Sequence, residues 1–208
     1  HKLDALLGYS WETNQYQSQY SQATNFAVAS MGANSIQTGN DLKIGNVTSS
    51  KNEYKLISFF ARAHYSYDER YMITATVRRD GSSKFGANHK WGWFPSVSAA
   101  WGISQEGFME NTKSWLSDLK LRVGYGITGN QDGLMPYKSL ELYQAYGTYY
   151  DNGGASTAFR VTQNANPDLK WEQTAMFNVG IDFQLFNGRL GGTIEYYDKR
   201  TSDMLYNY

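Results

Sequence analysis

Residues 119–127 read LKLRVGYGI, and the order of these letters decides the fold. Leucine, valine, tyrosine and isoleucine occupy the odd positions, while lysine, arginine and glycine occupy the even ones. Successive side chains of an extended strand point to opposite faces, so this order makes one apolar face and one polar face. A helix, with about 3.6 residues per turn, would mix the two sets around its surface. The stretch therefore predicts a β-strand between apolar and polar surroundings.

The same alternation recurs along the chain in six further stretches. These are 3–12, 57–67, 71–79, 91–103, 175–185 and 189–201. Strands of soluble sheets average about 5–6 residues, whereas most of these run to roughly 10–13. At about 3.3 Å per residue and a tilt near 40°, about eleven residues rise about 28 Å, close to the apolar band of an outer-membrane barrel. The pattern predicts an all-β chain of about seven antiparallel strands from a transmembrane outer-membrane β-barrel.

The connections between the predicted strands differ in length in a regular way. Tight turns at 67–70 and 186–189 form the second and sixth connections, while long segments at about 13–53 and 129–171 form the first and fifth. Antiparallel strands reverse direction each time, so odd and even connections lie at opposite ends of a barrel, with long outer loops at one end and short periplasmic turns at the other. We therefore expect both long segments to be outer loops. Residues 104–116, in the fourth connection, can form a short interfacial helix.

Composition limits the class of protein. The 208 residues include 19 Lys and Arg against 19 Asp and Glu, so no net field attracts nucleic acid or anionic lipid. Cysteine is absent, which excludes disulfides and cysteine-based metal sites. No apolar run reaches the roughly 18 residues that a transmembrane helix needs. The first residues lack the charged start and apolar run of a signal peptide, so we expect the chain to be a fragment of a longer exported protein.

The tryptophans lie close to the ends of the predicted strands. They are Trp11, Trp91, Trp93, Trp101, Trp115 and Trp171. An indole ring suits the headgroup level of a bilayer, so these positions predict two interfacial aromatic belts. Burial in the core of a soluble protein is the alternative explanation.

Several blocks of sequence resemble the SusC/RagA family of TonB-dependent outer-membrane transporters from Bacteroidota. The most specific are ATVRRDGSSKFG at 75–86, WGWFPSVS at 91–98, YGITGNQ at 125–131 and NPDLKWE at 166–172. Blocks at 115–122, 186–190 and 196–201 are also similar, and their order and spacing match the family across about 54–208. The first 53 residues match only as a strand followed by a variable loop.

This resemblance implies a function for the intact protein. Members of the family are nutrient importers with a plug domain inside a barrel of about 22 strands, and they are not enzymes. The implied substrate is an oligosaccharide or a peptide, and the implied partners are a SusD-type surface lipoprotein that forms a lid, the TonB complex acting through the plug, and membrane lipid. Neither the plug nor the segment that contacts TonB is found in these residues. The chain is therefore expected to supply about seven strands of wall and the outer loops.

The polar face of the predicted strands carries charged side chains. They are Arg62, His64, Arg78, Lys120, Arg122, Asp182 and Glu195. The resemblance favours their lining the barrel lumen, whereas the alternation alone is equally compatible with a solvated face of a soluble sheet. Ligand contact is expected from the second long loop, through Tyr143, Tyr146, Tyr149 and Tyr150, because aromatic rings stack on sugar faces and peptide side chains. Packing of these rings against the loop itself or against a partner is the alternative.

Two short motifs resemble binding sites of other classes of protein. Gly124, Gly126 and Gly129 match a dinucleotide fingerprint by letter, but a turn follows where that fingerprint requires a helix. Thr128, Asn130 and Asp132 partly resemble a calcium loop, although Ser139 stands where such a loop places its bidentate glutamate. The three histidines have no metal-ligand spacing and no nucleophile elbow is found. We predict no catalytic residue, no metal site and no cofactor, with a loop-bound Ca²⁺ as the exception to be tested.

Two other classes of protein remain open from the residues alone. One is a soluble all-β extracellular module that binds carbohydrate or hydrolyses glycosides, and it would stay monodisperse without detergent. The other is an outer-membrane barrel without TonB coupling, and it would have no plug domain upstream.

Overall fold

The computed structural model of the chain describes residues 1–28, 30, 32–41 and 46–206. Within them most residues lie in β-strands. The strands are β1 (Lys2–Ser21), β2 (Val47–Tyr67), β3 (Tyr71–Ser82), β4 (Trp91–Gly102), β5 (Leu116–Asn130), β6 (Leu142–Asp151), β7 (Gly154–Gln163), β8 (Glu172–Leu185) and β9 (Leu190–Ser202). Short 3-10 helices span Gly32–Thr38, Ile103–Gln105 and Gly107–Thr112.

Seven of these strands form one sheet in the order β1-β2-β3-β4-β5-β8-β9. The recorded pairings from β2 through to β9 are antiparallel, so each predicted strand lies beside its neighbour in the sequence. All seven predicted strands are confirmed. β1 and β2 are longer than predicted, and the first connection shrinks from about 13–53 to 22–46, part of which lies outside the described residues. The remaining two strands, β6 and β7, pair only with each other inside the segment predicted as a loop at 129–171.

The register sorts the side chains of the large sheet onto two chemically different faces. Directly paired residues share a face, so the chain of partners Ala75↔Val97, Val97↔Tyr125 and Tyr125↔Phe177 marks the apolar face. Its large side chains are exposed, among them Phe59, Ile73, Val77, Val97, Val123, Tyr125, Phe177, Ile181 and Ile194. An exposed apolar surface of this extent needs a non-aqueous neighbour.

The opposite face is mostly polar and includes a row of small side chains. One row across the sheet runs through Thr74↔Ser98, Ser98↔Gly124 and Gly124↔Asn178. A Cβ on Gly124 would lie 2.5 Å from the Asn178 side-chain oxygen, so glycine is needed there for Asn178 to lie across β5. The glycines that match a dinucleotide fingerprint are thus strand positions in β5.

The short connections are tight turns built on left-handed backbone. Asp68 and Glu69, between β2 and β3, have φ of 52° and 56°. Phe186, Asn187 and Gly188, between β8 and β9, have φ of 55°, 57° and 81°. Successive residues with positive φ match the right-handed twist of the flanking strands, which explains why so few residues suffice. Between β4 and β5 two 3-10 helices occupy the connection in which a short helix was predicted.

The chain divides into two compact units, one of residues 1–12 and 55–208 and one of residues 13–54. The second unit contains the far end of β1, the start of β2 and the 3-10 helix Gly32–Thr38. In it, the hydroxyls of Ser18 and Ser50 hydrogen-bond at 2.7 Å, and the amide of Gln22 donates to the carbonyl of Asn46. No helix of the described residues is long and apolar enough to span a membrane.

Candidate functional site

The seven charged residues predicted for the lumen all lie on the polar face of the sheet. The register places Arg62 beside Thr76, His64 beside Thr74, Arg78 beside Phe94, Lys120 beside Asp182, Arg122 beside Gly180, and Glu195 beside Gly180. Sequence alternation alone is enough to bring them to one face. It could not show which of them touch, because that depends on how the strands are paired.

The strongest contact on this face joins residues 60 positions apart. Arg122 donates to both carboxylate oxygens of Asp182, at 2.7 and 3.0 Å, and the Thr193 hydroxyl donates to the same carboxylate at 2.8 Å. Beside this pair the Asn178 amide donates to Glu195 at 3.0 Å. A two-pronged contact fixes the planar guanidinium against β8. The face therefore presents ordered, neutralised polar groups and carries no concentrated charge of one sign there.

Arg78 forms a second polar cluster nearer the end of β3. Its Nε donates to the Asp80 carboxylate at 2.7 Å and its terminal nitrogen donates to the Ser58 hydroxyl at 2.9 Å. Ser58 is fully buried. An open cavity of about 420 Å³ adjoins this cluster and is also lined by Phe94, Ser96 and Trp171. Polar donors beside an aromatic wall are the usual makeup of a ligand-binding surface.

The connection 83–90 is fastened to residues 166–171 at the end of the sheet where β3 and β5 finish. The amides of Gly86 and Asn88 donate to the carbonyls of Leu169 and Pro167, at 2.9 and 3.2 Å. The Asn88 side chain donates to Asp168 at 2.8 Å. These contacts hold the start of β8 against the β3–β4 connection.

A small hydrophobic cluster of Phe85, Phe94, Leu134 and Trp171 packs beneath that fastening. The rings of Phe85 and Trp171 have centroids 4.5 Å apart, and the indole nitrogen donates to the carbonyl of Lys90 at 3.1 Å. Trp171 is 5% exposed, so its ring is buried in this cluster, and its assignment to an interfacial belt stays a prediction that this burial does not support. Nearness to a strand end cannot distinguish a ring that turns inward onto a loop from one that turns outward to lipid.

The other tryptophans remain compatible with the belts. Trp11, Trp91, Trp93 and Trp115 are exposed. Trp91, Trp93 and Trp101 share the apolar face, because their partners are Gly81, Arg79 and Tyr71. Their position at the bilayer interface stays a prediction.

Glu106 ties together the aromatic side chains at the turn end of the sheet. Its carboxylate accepts hydrogen bonds from Tyr71 at 2.5 Å and from the Trp101 indole at 3.1 Å, and Arg70 lies 3.5 Å away. The hydrogen bond from Tyr71, followed by that from Trp101, lowers the pKa of Glu106 below its ordinary 4.5.

This network gives a pH-dependent contribution to stability. Because folding lowers the pKa of Glu106, the contribution is present above the unfolded value of 4.5 and is lost as pH falls through the folded pKa. We expect Glu106→Gln to lower the melting temperature of the detergent-solubilised full-length protein at neutral pH and to have little effect at about pH 3. Glu110→Gln, an exposed glutamate in the same connection, is the matched control. Equal effects of Glu106→Gln at both pH values would contradict the assignment.

The four tyrosines predicted to contact ligand all lie on strand β6 of the exposed hairpin. Tyr143, Tyr146, Tyr149 and Tyr150 are all more than half exposed, and their contact with ligand stays a prediction. The hairpin itself was missed by the sequence analysis. Asp151-Asn152-Gly153-Gly154 is a strong hairpin signal that could have found it, and Asn152 and Gly153 have φ of 46° and 83°.

A bulge in the hairpin divides the tyrosines between its two faces. The register shifts between Ala145 and Gly147 and leaves Tyr146 without a partner on β7. As a result Tyr143 and Tyr150, paired with Val161 and Ala155, share a face with Phe159. Tyr149, paired with Ser156, lies on the face of Arg160, whose guanidinium lies 4.6 Å from the centre of the Tyr146 ring.

The residues of the partial calcium motif are engaged with each other and with β8. The Asn130 side chain donates to Glu172 at 2.9 Å and accepts from the amide of Asp132 at 2.8 Å. No group of three or more His, Asp or Glu in the described part of the chain is arranged to hold a metal. Calcium binding by Thr128, Asn130 and Asp132 stays a prediction.

These features define the class of protein. A continuous antiparallel sheet with long strands, an exposed apolar face and an ordered polar face is the wall of a membrane-spanning β-barrel. Over residues 1–208 the chain matches the family described as TonB dependent receptor-like, beta-barrel. The chain belongs to this family of outer-membrane proteins, and the predicted resemblance to it is confirmed.

Individual relatives agree with this membership. TonB-dependent receptor P39 of Formosa agariphila is 38% identical over 210 residues, covering 100% of this chain and 19% of the relative. TonB-dependent receptor SusC of Bacteroides thetaiotaomicron is 39% identical over 171 residues, covering 81% of this chain and 17% of the relative. The solved RagAB peptide transporter superimposes with a TM-score of 0.85 at 30% identity over 98% of this chain and 22% of that one. The chain thus spans about a fifth of the length of its relatives.

Proposed function

We propose that the intact protein imports an oligosaccharide or a peptide across the outer membrane, powered by TonB through a plug domain and capped by a SusD-type lipoprotein. The observation that carries this proposal is the similarity along nearly the whole chain to SusC and to the RagAB peptide transporter. Membership of a receptor family argues against the soluble-module and the uncoupled-barrel alternatives. The experiment is energy-dependent uptake of labelled oligosaccharides and peptides by cells that express the full-length protein, with and without TonB.

Within this proposal the polar face, the cluster around Trp171 and the β6–β7 hairpin have different roles. The seven polar-face residues line the lumen, where the Arg122–Asp182 pair keeps the wall ordered beside the plug. The cluster around Trp171 keeps the connections at the mouth in place. The hairpin of β6 and β7 presents aromatic rings to arriving ligand or to the lid.

The two faces of the hairpin give a controlled test of ligand contact. Stacking on a ring contributes about 0.5–1.5 kcal/mol beyond area burial, so removing two rings from the contacting face should weaken binding by about tenfold or more. We expect Tyr146→Ala with Tyr149→Ala to have this effect, because Arg160 beside Tyr146 adds a hydrogen-bond donor for sugar hydroxyls or carboxylates. Binding of the transported ligand to the purified full-length protein, measured by calorimetry, reads this out.

The matched control is the pair on the other face, Tyr143→Ala with Tyr150→Ala. It removes the same number of tyrosine rings from the same strand and leaves the face with Arg160 intact. Equal losses for both pairs would indicate a general disruption of the hairpin, and unchanged affinity for both would exclude the hairpin from the ligand site. Co-purification of the lipoprotein with each variant separates contact with the lid from contact with ligand.

A further inference from the structure

Arg79 is a charged residue on the apolar face of the sheet. Its direct partner on β4 is Trp93 and its direct partner on β2 is Phe59, both of which belong to that face. β3 has both of its neighbouring strands in place, so additional strands of the barrel would not cover it. The side chain therefore faces the surroundings of the barrel wall, where an uncompensated charge is unfavourable.

Two tryptophans hold the guanidinium at this position. Its central carbon lies 4.6 Å from the ring centre of Trp91 and 5.2 Å from that of Trp93. The Trp91 ring lies directly over Gly81, where a Cβ would come within 2.7 Å of it. Glycine at 81 thus lets the indole lie along the strand beside Arg79. The rings contact the flat faces of the cation, and no hydrogen-bond acceptor among the described residues binds the N–H donors in its plane.

The neighbouring arginines show what is unusual about Arg79. Arg78 points to the polar face and donates to Asp80 and Ser58. Arg200 shares the apolar face, because it pairs with Ala175, and it donates to Asp198. Within the part of the chain that the structure describes, Arg79 contacts two rings and no carboxylate.

An apolar groove begins beside the guanidinium. Its volume is about 490 Å³, and its lining includes Leu7, Phe59, Ala61, Val77, Arg79 and Trp93. Ala61 pairs with Val77, so a small side chain opens the groove on the side of Arg79 that leads away from the end of β3. The groove thus has a cation flanked by indoles at one end and apolar side chains along the rest. This arrangement matches a lipid with an anionic headgroup and an acyl chain.

We propose that this is a binding site for a phosphate-bearing membrane lipid. The phosphate accepts hydrogen bonds from the edge of the Arg79 guanidinium, while an acyl chain occupies the groove along Ala61 and Val77. A planar guanidinium matches two phosphate oxygens at once, and the surrounding rings and hydrocarbon exclude the water that would weaken the contact. The site rests on the barrel fold and is independent of the proposed transport substrate.

The test uses the full-length protein in mild detergent, titrated with lipid A and with the same lipid after removal of its phosphates. Native mass spectrometry measures the bound lipid. We expect Arg79→Gln to reduce binding of the phosphorylated lipid by about fivefold or more and Arg200→Gln to leave it unchanged. Arg79→Lys should retain part of the binding, because a lysine keeps the charge but loses the two-pronged geometry. Heat-modifiable migration on a gel verifies that each variant forms a barrel.

Three results would overturn the proposal. The first is equal binding of the two lipids, which would exclude recognition of phosphate. The second is an equal loss for Arg79→Gln and Arg200→Gln, which would reduce the effect to surface charge. The third is displacement of the lipid by millimolar inorganic phosphate, which would make the site a plain anion site with no role for the groove.

Discussion

Replacing Gly86 by valine is expected to detach the β3–β4 connection from the segment that leads into β8. A Cβ at this position would lie 2.0 Å from the carbonyl oxygen of Pro167 and 2.3 Å from its carbon, and both are backbone atoms that cannot rotate away. The hydrogen bonds from Gly86 to Leu169 and from Asn88 to Pro167 would be lost together. Overpacking and two lost hydrogen bonds give a cost on the order of 3 kcal/mol.

Hydrogen exchange measures this effect where it arises. The amides of residues 86 and 88 should be protected from exchange in the wild-type full-length protein. Both should exchange rapidly in the Gly86→Val variant. Gly107→Ala is the control, since nothing lies within 4 Å of a Cβ there. Retained protection at Asn88 in Gly86→Val would show that the two segments tolerate the added carbons.

Truncation of Trp171 to alanine is the second change with a large expected effect. The ring packs against Phe85 and Phe94 and its nitrogen binds the carbonyl of Lys90, so the variant leaves a cavity and an unpaired carbonyl. Losing a buried tryptophan costs about 3–5 kcal/mol. We expect that loss in the free energy of unfolding measured by guanidinium titration of the full-length protein in lipid vesicles.

Trp93→Ala is the matched variant. Trp93 is 58% exposed on the apolar face, so its truncation should cost much less in unfolding free energy. Similar costs for both variants would mean that Trp171 behaves as an interfacial ring, as the sequence pattern alone predicted.

The sequence predicted the wall of the barrel well, and the reason is physical. A strand between lipid and a polar interior must alternate apolar and polar residues along its length. The stretch LKLRVGYGI and the six similar stretches show this pattern without any information on the neighbouring strands. The placement of tight and long connections at opposite ends follows from the antiparallel order of the strands. It can also be predicted without knowing which residues are in contact. Both therefore could be predicted before the structure.

Features that depend on distant partners could not be predicted in the same way. The pairing of Arg122 with Asp182 requires the β5–β8 register, which is set across the intervening 41 residues 131–171. Trp171 differs from Trp93 in its distant contacts, namely Phe85 from another connection and Phe94 from β4. The hairpin has no buried face, so its strands lack the alternation that revealed the others, and only the Asn152-Gly153 turn marks it.

The way the hairpin joins the sheet also bears on how such proteins diversify. β5 and β8 pair continuously from Asp118↔Gln184 to Asn130↔Glu172, and the hairpin, which the structure describes in full, contributes no partner to that ladder. At its base, Gln163 donates to the carbonyls of Tyr137 and Leu140, which closes the excursion upon itself. We therefore expect that residues 142–163 can be replaced without a change in the pairing of the barrel strands. Such a replacement can arise in evolution, or by insertion of an epitope or a new recognition element.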